Sequence, residues 1–135
     1  MTKRLESKIS LEILLGQIDE SLPQKIRDRQ STEYDPIVLL RTVYDHYLMK
    51  FDDEGPQALA HGGWALIELG NYFDDIGKRN MAIQAYRQAY YSFTDPECRG
   101  HEETGNQLLQ QVPELVLFLR RDERYDNETK PINPN

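Results

Sequence analysis

The amino-acid sequence predicts an all-α protein of about five or six antiparallel helices. Apolar residues recur three and four positions apart along most of the chain, as they do on one face of a helix. Residues that favour helix starts precede these stretches: Ser10 before the first, and Asp35 followed by Pro36 before a later one. Two helical patterns also stand back to back on either side of Gly77. Together these features favour a short α-solenoid or bundle built around a helical hairpin.

The first helix is predicted to begin after Ser10, which can cap it. Pro23 is expected to end or kink this helix, because proline lacks the N–H that the helix interior needs. A short helical continuation is expected over residues 24–30. The apolar residues at helical spacing are Leu11, Leu14, Leu15, Ile18 and Leu22.

The second long helix is predicted over residues 36–51, and its broad apolar face suggests that it is well buried. The pair Gly55-Pro56 separates it from a helix over residues 56–74. Gly62 and Gly63 are unusual there, because glycine costs about 1 kcal/mol relative to alanine in a helix interior. Either that helix starts at Trp64, or the two glycines let another backbone come close.

The C-terminal part continues with a tyrosine-rich helix over residues 78–93 and a mostly exposed helix over residues 97–112. The apolar run at residues 115–119 predicts a buried closing helix over 114–121. A strand is the alternative for so short a run, although no partner strand is visible in the sequence. We expect one helical domain over residues 1–121 and a flexible tail over 122–135.

One stretch resembles a known repeat. Small and large residues alternate between residues 63 and 96 in a pattern similar to one tetratricopeptide repeat, a helix–turn–helix unit of about 34 residues. It departs from the family pattern at Leu66, where an aromatic residue is usual, and at Pro96, which comes late. The resemblance implies a protein-binding role and names no partner. The matching residues are Leu69, Gly70, Phe73, Gly77, Ala82, Tyr86 and Ala89.

Composition and charge limit the kinds of function. The chain is 39 % hydrophobic and 29 % charged, as in a soluble globular protein, and it lacks an apolar run of the roughly 18 residues that span a membrane. Nine acidic and two basic residues lie between Glu33 and Asp75, so this part carries −7, the net charge of the whole chain. Such a surface repels nucleic acid. We therefore expect a cytoplasmic protein whose partner is another protein with a basic or amphipathic segment, and no cofactor.

The predicted partner-binding residues lie on one side of the helix that contains Trp64. If the opposite side packs inward, the surface consists of Trp64, Ile67, Asn71, Asp74 and Asp75. The alternative is that Trp64 and Ile67 belong to the core, covered by the helix over 36–51 or by the N-terminal helix. On the first view the protein is an adaptor, assembly factor or chaperone-like module.

Two other functions stay open. An acidic inhibitor or immunity-type protein could block a basic effector through Asp52, Asp53 and Glu54. A small metal-dependent hydrolase could use Asp45 and His46 with the two aspartates at 52 and 53. We predict no enzyme activity, because nucleophile, base and metal ligands do not form a convergent set in the sequence. The single cysteine, Cys98, excludes an internal disulfide framework.

Overall fold

The computed structural model describes residues 4–6, 9–30, 34–98 and 100–119, and within these residues it contains helices and no strand. The prediction of an all-α fold is confirmed. A short helical segment over residues 115–119 follows six longer helices. These are α1 (Leu11–Ile18), α2 (Leu22–Arg27), α3 (Pro36–Glu54), α4 (Gln57–Asp75), α5 (Arg79–Thr94) and α6 (Glu102–Gln111).

The break between α1 and α2 lies earlier than predicted. α1 ends at Ile18, and the Asp19 carboxylate accepts hydrogen bonds at 2.9 Å from both the N–H and the hydroxyl of Ser21. Pro23 lies in the first turn of α2, where its missing N–H would have had no helical partner. The prediction that Pro23 ends or kinks the first helix is therefore wrong, because that helix has already ended at Ile18.

α4 is the central helix of the fold and packs against α3, α5 and α1. It is continuous through its two adjacent glycines, which lie at close contacts with neighbouring helices. A Cβ atom at Gly62 would lie 2.8 Å from the Cβ of Tyr47 on α3, and one at Gly63 would lie 2.7 Å from the Phe93 ring on α5. The helix does not start at Trp64, and the glycines admit the side chains of Tyr47 and Phe93, where the sequence analysis expected another backbone.

The turn between α4 and α5 depends on Gly77. This residue has φ 80°, in the left-handed region that side chains other than glycine rarely adopt. The Lys78 N–H donates to the Phe73 carbonyl at 2.8 Å, which closes the end of α4. The predicted hairpin around Gly77 is thus present, whereas membership of the tetratricopeptide family stays a prediction.

The C-terminal helices cover the other side of α5. α6 packs against α5 and buries Leu108, while most of its outer residues are exposed, as predicted. The closing segment is less buried than predicted, because Leu115 is fully buried whereas Leu117 is 69 % exposed. The predicted tail over 122–135 lies outside the described residues. Among the described helices, none is long and apolar enough to cross a membrane.

Candidate functional site

The predicted partner-binding face of α4 is largely covered. Ile67 is fully buried, and Asn71 is only 4 % exposed. The Asn71 side chain donates to the Leu5 carbonyl at 2.8 Å and accepts from the Tyr86 hydroxyl at 2.6 Å. The expectation that this face is open is therefore wrong for these two residues, because α1 and the N-terminal residues pack over it.

The other three predicted residues differ from one another in environment. Trp64 is partly buried and contacts the Phe93 ring edge to face, with 5.4 Å between centroids. Asp74 forms an ion pair with Arg79 at 3.0 Å, and the exposed Asp75 forms one with Arg4 at 2.8 Å. These side chains do not make one continuous open surface with Ile67 and Asn71. Whether any of them binds a partner stays a prediction.

A more open apolar surface lies on α3. We predicted this helix to be well buried, but only Leu39 and Val43 are, since α3 packs against the rest of the molecule along one side. Leu48 is 52 % exposed and Met49 is 70 % exposed. The full set of exposed apolar residues on α3 is Ile37, Val38, Tyr44, Leu48 and Met49. The outer side of α3 therefore offers apolar side chains to a partner.

Part of this surface forms one wall of a groove between α3, α4 and α5. Tyr44 and Leu48 lie on the α3 side, Tyr91 lies on the α5 side, and Gly62 of α4 lines the groove between them. The groove has a volume of about 160 Å³. Sites for small molecules and cofactors are larger, roughly 300–1,000 Å³. The groove is therefore better matched to a few side chains of another protein.

The edge of this groove is acidic. Asp95 lines it, and Asp52 follows Leu48 by four positions and so lies on the same side of α3. Asp53 and Glu54 are exposed in the last turn of the helix. The C-terminus of a helix carries partial negative charge, so the negative charge of these carboxylates adds to that of the helix end. A cation placed at this end of α3 would be attracted both by the carboxylates and by the helix dipole.

The residues considered for metal or nucleophilic chemistry do not assemble into a site. Within the described residues, no three His, Cys, Asp or Glu side chains come together in a way that could hold a metal ion. His46 contacts the Tyr47 ring edge to face, and burial, with a smaller effect of Lys50, lowers the pKa of its imidazole. Burial raises the pKa of the Cys98 thiol, which favours its less reactive protonated form.

Sequence reasoning did not identify the groove, although one signal for it was present. The apolar residues of α3 cover more of the helix circumference than a single contact can bury. That excess could have indicated a second apolar surface on α3, including Tyr44 and Leu48. Tyr91 and Asp95 carry no comparable pattern, because they meet α3 only in the folded molecule.

Comparisons with protein-family models, with curated proteins and with solved structures found no match to the chain.

Proposed function

We propose that this protein is a protein-binding module that holds a basic, amphipathic segment of a partner in the groove between α3, α4 and α5. The observation that carries the proposal is the combination of half-exposed apolar side chains, chiefly Tyr44, Leu48 and Tyr91, with carboxylates at the same edge. Helical segments that bind in grooves insert apolar residues from one face and leave their charged residues at the rim.

The charges select the kind of partner segment. A helix whose apolar residues contact Leu48 and Tyr91 could place a lysine or arginine near Asp52 or Asp95. Such a cation would also lie near the negative C-terminal end of α3. An acidic segment of the same shape would be repelled. Adaptor, assembly-factor and chaperone-like roles are all consistent with this mode of binding.

The acidic inhibitor remains a second candidate, favoured by one observation. Asp52, Asp53 and Glu54 are all exposed at the end of α3, as an electrostatic blocker of a basic effector requires. The two candidates differ in the contribution of the apolar residues. Binding by charge alone falls steeply with salt, whereas binding with buried apolar anchors keeps a salt-independent part.

A photo-crosslinking experiment in cells tests the first proposal. A photoreactive amino acid is placed at position 48, in the groove, and at position 37 as the matched control. Leu48 and Ile37 lie on the same helix and are 52 % and 57 % exposed, but Ile37 does not line the groove. We expect position 48, and not position 37, to crosslink to a segment with apolar residues at helical spacing and a net positive charge.

Binding of that segment as a peptide then measures the contribution of the groove. Leu48→Asp should weaken binding by about 30-fold or more, the loss typical of a central apolar anchor. Ile37→Asp should leave binding within about twofold, as for a side chain outside the interface. Equal losses from the two substitutions, or a crosslinked segment that is acidic, would contradict the proposal.

A further inference from the structure

Residues 4–6 form a non-helical segment that binds to α4 and α6, and we call them the N-terminal strap. The Leu5 carbonyl accepts from the Asn71 side chain at 2.8 Å, and the Leu5 N–H donates to the Gln111 side-chain carbonyl. Both backbone groups of one residue are thus bonded to carboxamide side chains from two different helices. The Leu5 side chain packs against the core.

The strap is also bound through charge. The Arg4 guanidinium donates to the Asp75 carboxylate at 2.8 Å, and both side chains are partly exposed. Asp75 and Asn71 lie on α4, and Gln111 is the last residue of α6. We call Asn71, Asp75 and Gln111 the cradle. Its contacts select a segment whose backbone N–H and carbonyl are both free to bond, with a cation at one position and an apolar side chain at the next.

The cradle is held in position by the core beneath it. The Tyr86 hydroxyl donates to the Asn71 oxygen at 2.6 Å, so the Asn71 amino group is left to donate outward to a carbonyl. Tyr86 is fully buried, and its ring lies against Gly70 of α4. The amide donor is therefore positioned by the core and does not depend on the strap. Such preorganised donors reduce the entropy that a bound segment must lose.

We propose that the cradle is a docking site for a segment in which arginine is followed by leucine. The chain's own Arg4 and Leu5 occupy it in cis, and a partner segment with the same pair competes with them. This site is separate from the groove between α3, α4 and α5. A tethered segment acts at a high effective concentration, on the order of millimolar for short linkers, so the strap lowers the apparent affinity for any competitor.

The test uses the full-length protein and a labelled peptide that copies residues 1–10. Fluorescence anisotropy gives the affinity of this peptide for the wild type and for the variant Arg4→Glu/Leu5→Gly, in which the strap loses its ion pair and its apolar contact. We expect the variant to bind the peptide about tenfold more tightly or better, because the competitor in cis is removed. A copy of the peptide with the same two changes should bind at least tenfold more weakly, as should Gln111→Leu in the variant.

Two controls make the result decisive. Gln110→Leu, on the exposed side of α6, should leave peptide affinity within about twofold, since the residue lies outside the cradle. Leu48→Asp should also leave peptide affinity within about twofold, because Leu48 lies in the groove and not in the cradle. A failure of this inference is therefore distinguishable from a failure of the proposed groove.

If the double variant does not fold, as judged by circular dichroism, Arg4→Glu alone should still increase affinity by about threefold. Equal peptide affinity of wild type and released variants, equal effects of Gln111→Leu and Gln110→Leu, or no binding to any variant would overturn the proposal.

Discussion

Tyr86 of α5 contacts two adjacent residues of α4, Gly70 and Asn71. Its ring occupies the space left open at Gly70, and its hydroxyl donates to the Asn71 side chain at 2.6 Å. Burial raises the pKa of this phenol, so it remains a protonated donor even at a pH where an exposed tyrosine would ionise. Tyr86 is one of the residues that match the repeat pattern. In this molecule both parts of its side chain have a role, because the ring packs at Gly70 and the hydroxyl donates to Asn71.

Tyr86→Phe should destabilise the protein by about 1–3 kcal/mol, because the Asn71 oxygen would lose its partner while buried. Urea unfolding followed by circular dichroism measures this difference. Tyr44→Phe removes a hydroxyl from a residue that is 39 % exposed, and it should change stability by less than about 0.5 kcal/mol. Equal effects of the two substitutions would mean that the buried hydrogen bond contributes nothing specific.

Individual residues also explain why the predicted binding face was misjudged. Helical periodicity correctly placed Trp64, Ile67 and Asn71 away from Leu69 and Phe73 on α4, but periodicity does not reveal what covers a face. The cover includes Leu5, which lies in a non-helical segment without any repeating pattern. A sequence pattern could therefore identify the side of the helix and not its exposure.

At the level of helices, α4 determines how closely its neighbours pack. Substituting glycine by alanine inside a helix usually adds up to about 1 kcal/mol of stability. At Gly70 the opposite should occur, because the new Cβ would lie 2.6 Å from the ring of Tyr86, which is fully buried. The distance between α4 and α5 is thus limited by this contact.

Gly70→Ala should destabilise the protein by about 1–3 kcal/mol, as overpacking of a core typically does. Gly16→Ala in α1 is the matched control, since its Cβ would meet only Pro23 Cγ at an ordinary contact distance of 3.6 Å. That substitution should leave stability unchanged or raise it by up to about 1 kcal/mol. Thermal unfolding of both variants measures the difference, and a stabilising Gly70→Ala would show that the hairpin can widen without loss.

The order and approximate bounds of the helices followed from the sequence because caps and apolar spacing act locally. Asp35 accepts from the Ile37 N–H at 2.9 Å, as its position before Pro36 predicts. The error at Pro23 has a local cause too, because proline is equally compatible with ending one helix and starting the next. The burial of α3 was overestimated for a different reason. Whether its second apolar side is covered depends on which other elements reach it, and the tertiary fold decides this.

For the whole molecule, the net charge of −7 has opposite effects on stability and on binding. Net charge far from zero weakens the compact state through self-repulsion while it attracts partners of opposite sign. The carboxylates at the end of α3 contribute to both effects. Asp52 and Asp53 are exposed at the end of the helix and so are open to a partner, whereas Glu54 forms an ion pair with Lys50 at 3.9 Å.

Asp52→Lys should therefore raise stability and weaken binding of a basic segment at the same time. A cation in the last turn of α3 is favourable with the helix dipole by about 0.3–1 kcal/mol. Thermal unfolding measures the gain, and peptide titration at low and high salt measures the loss, which should shrink as salt rises. Glu20→Lys makes the same charge change at an exposed site between α1 and α2 and should have little effect on binding. Unchanged binding in Asp52→Lys would remove this carboxylate from the proposed interface.

The Leu5–Gln111 hydrogen bond connects residues 106 positions apart. During synthesis on a ribosome, at about 5–20 residues per second, Gln111 is made several seconds or more after Leu5. The hairpin of α4 and α5 needs only nearby residues and can pack within that interval. Leu5 is already made when Asn71 is added, whereas Gln111 of α6 is still missing. The nascent chain therefore passes through a stage in which its N-terminal segment can be held by α4 alone.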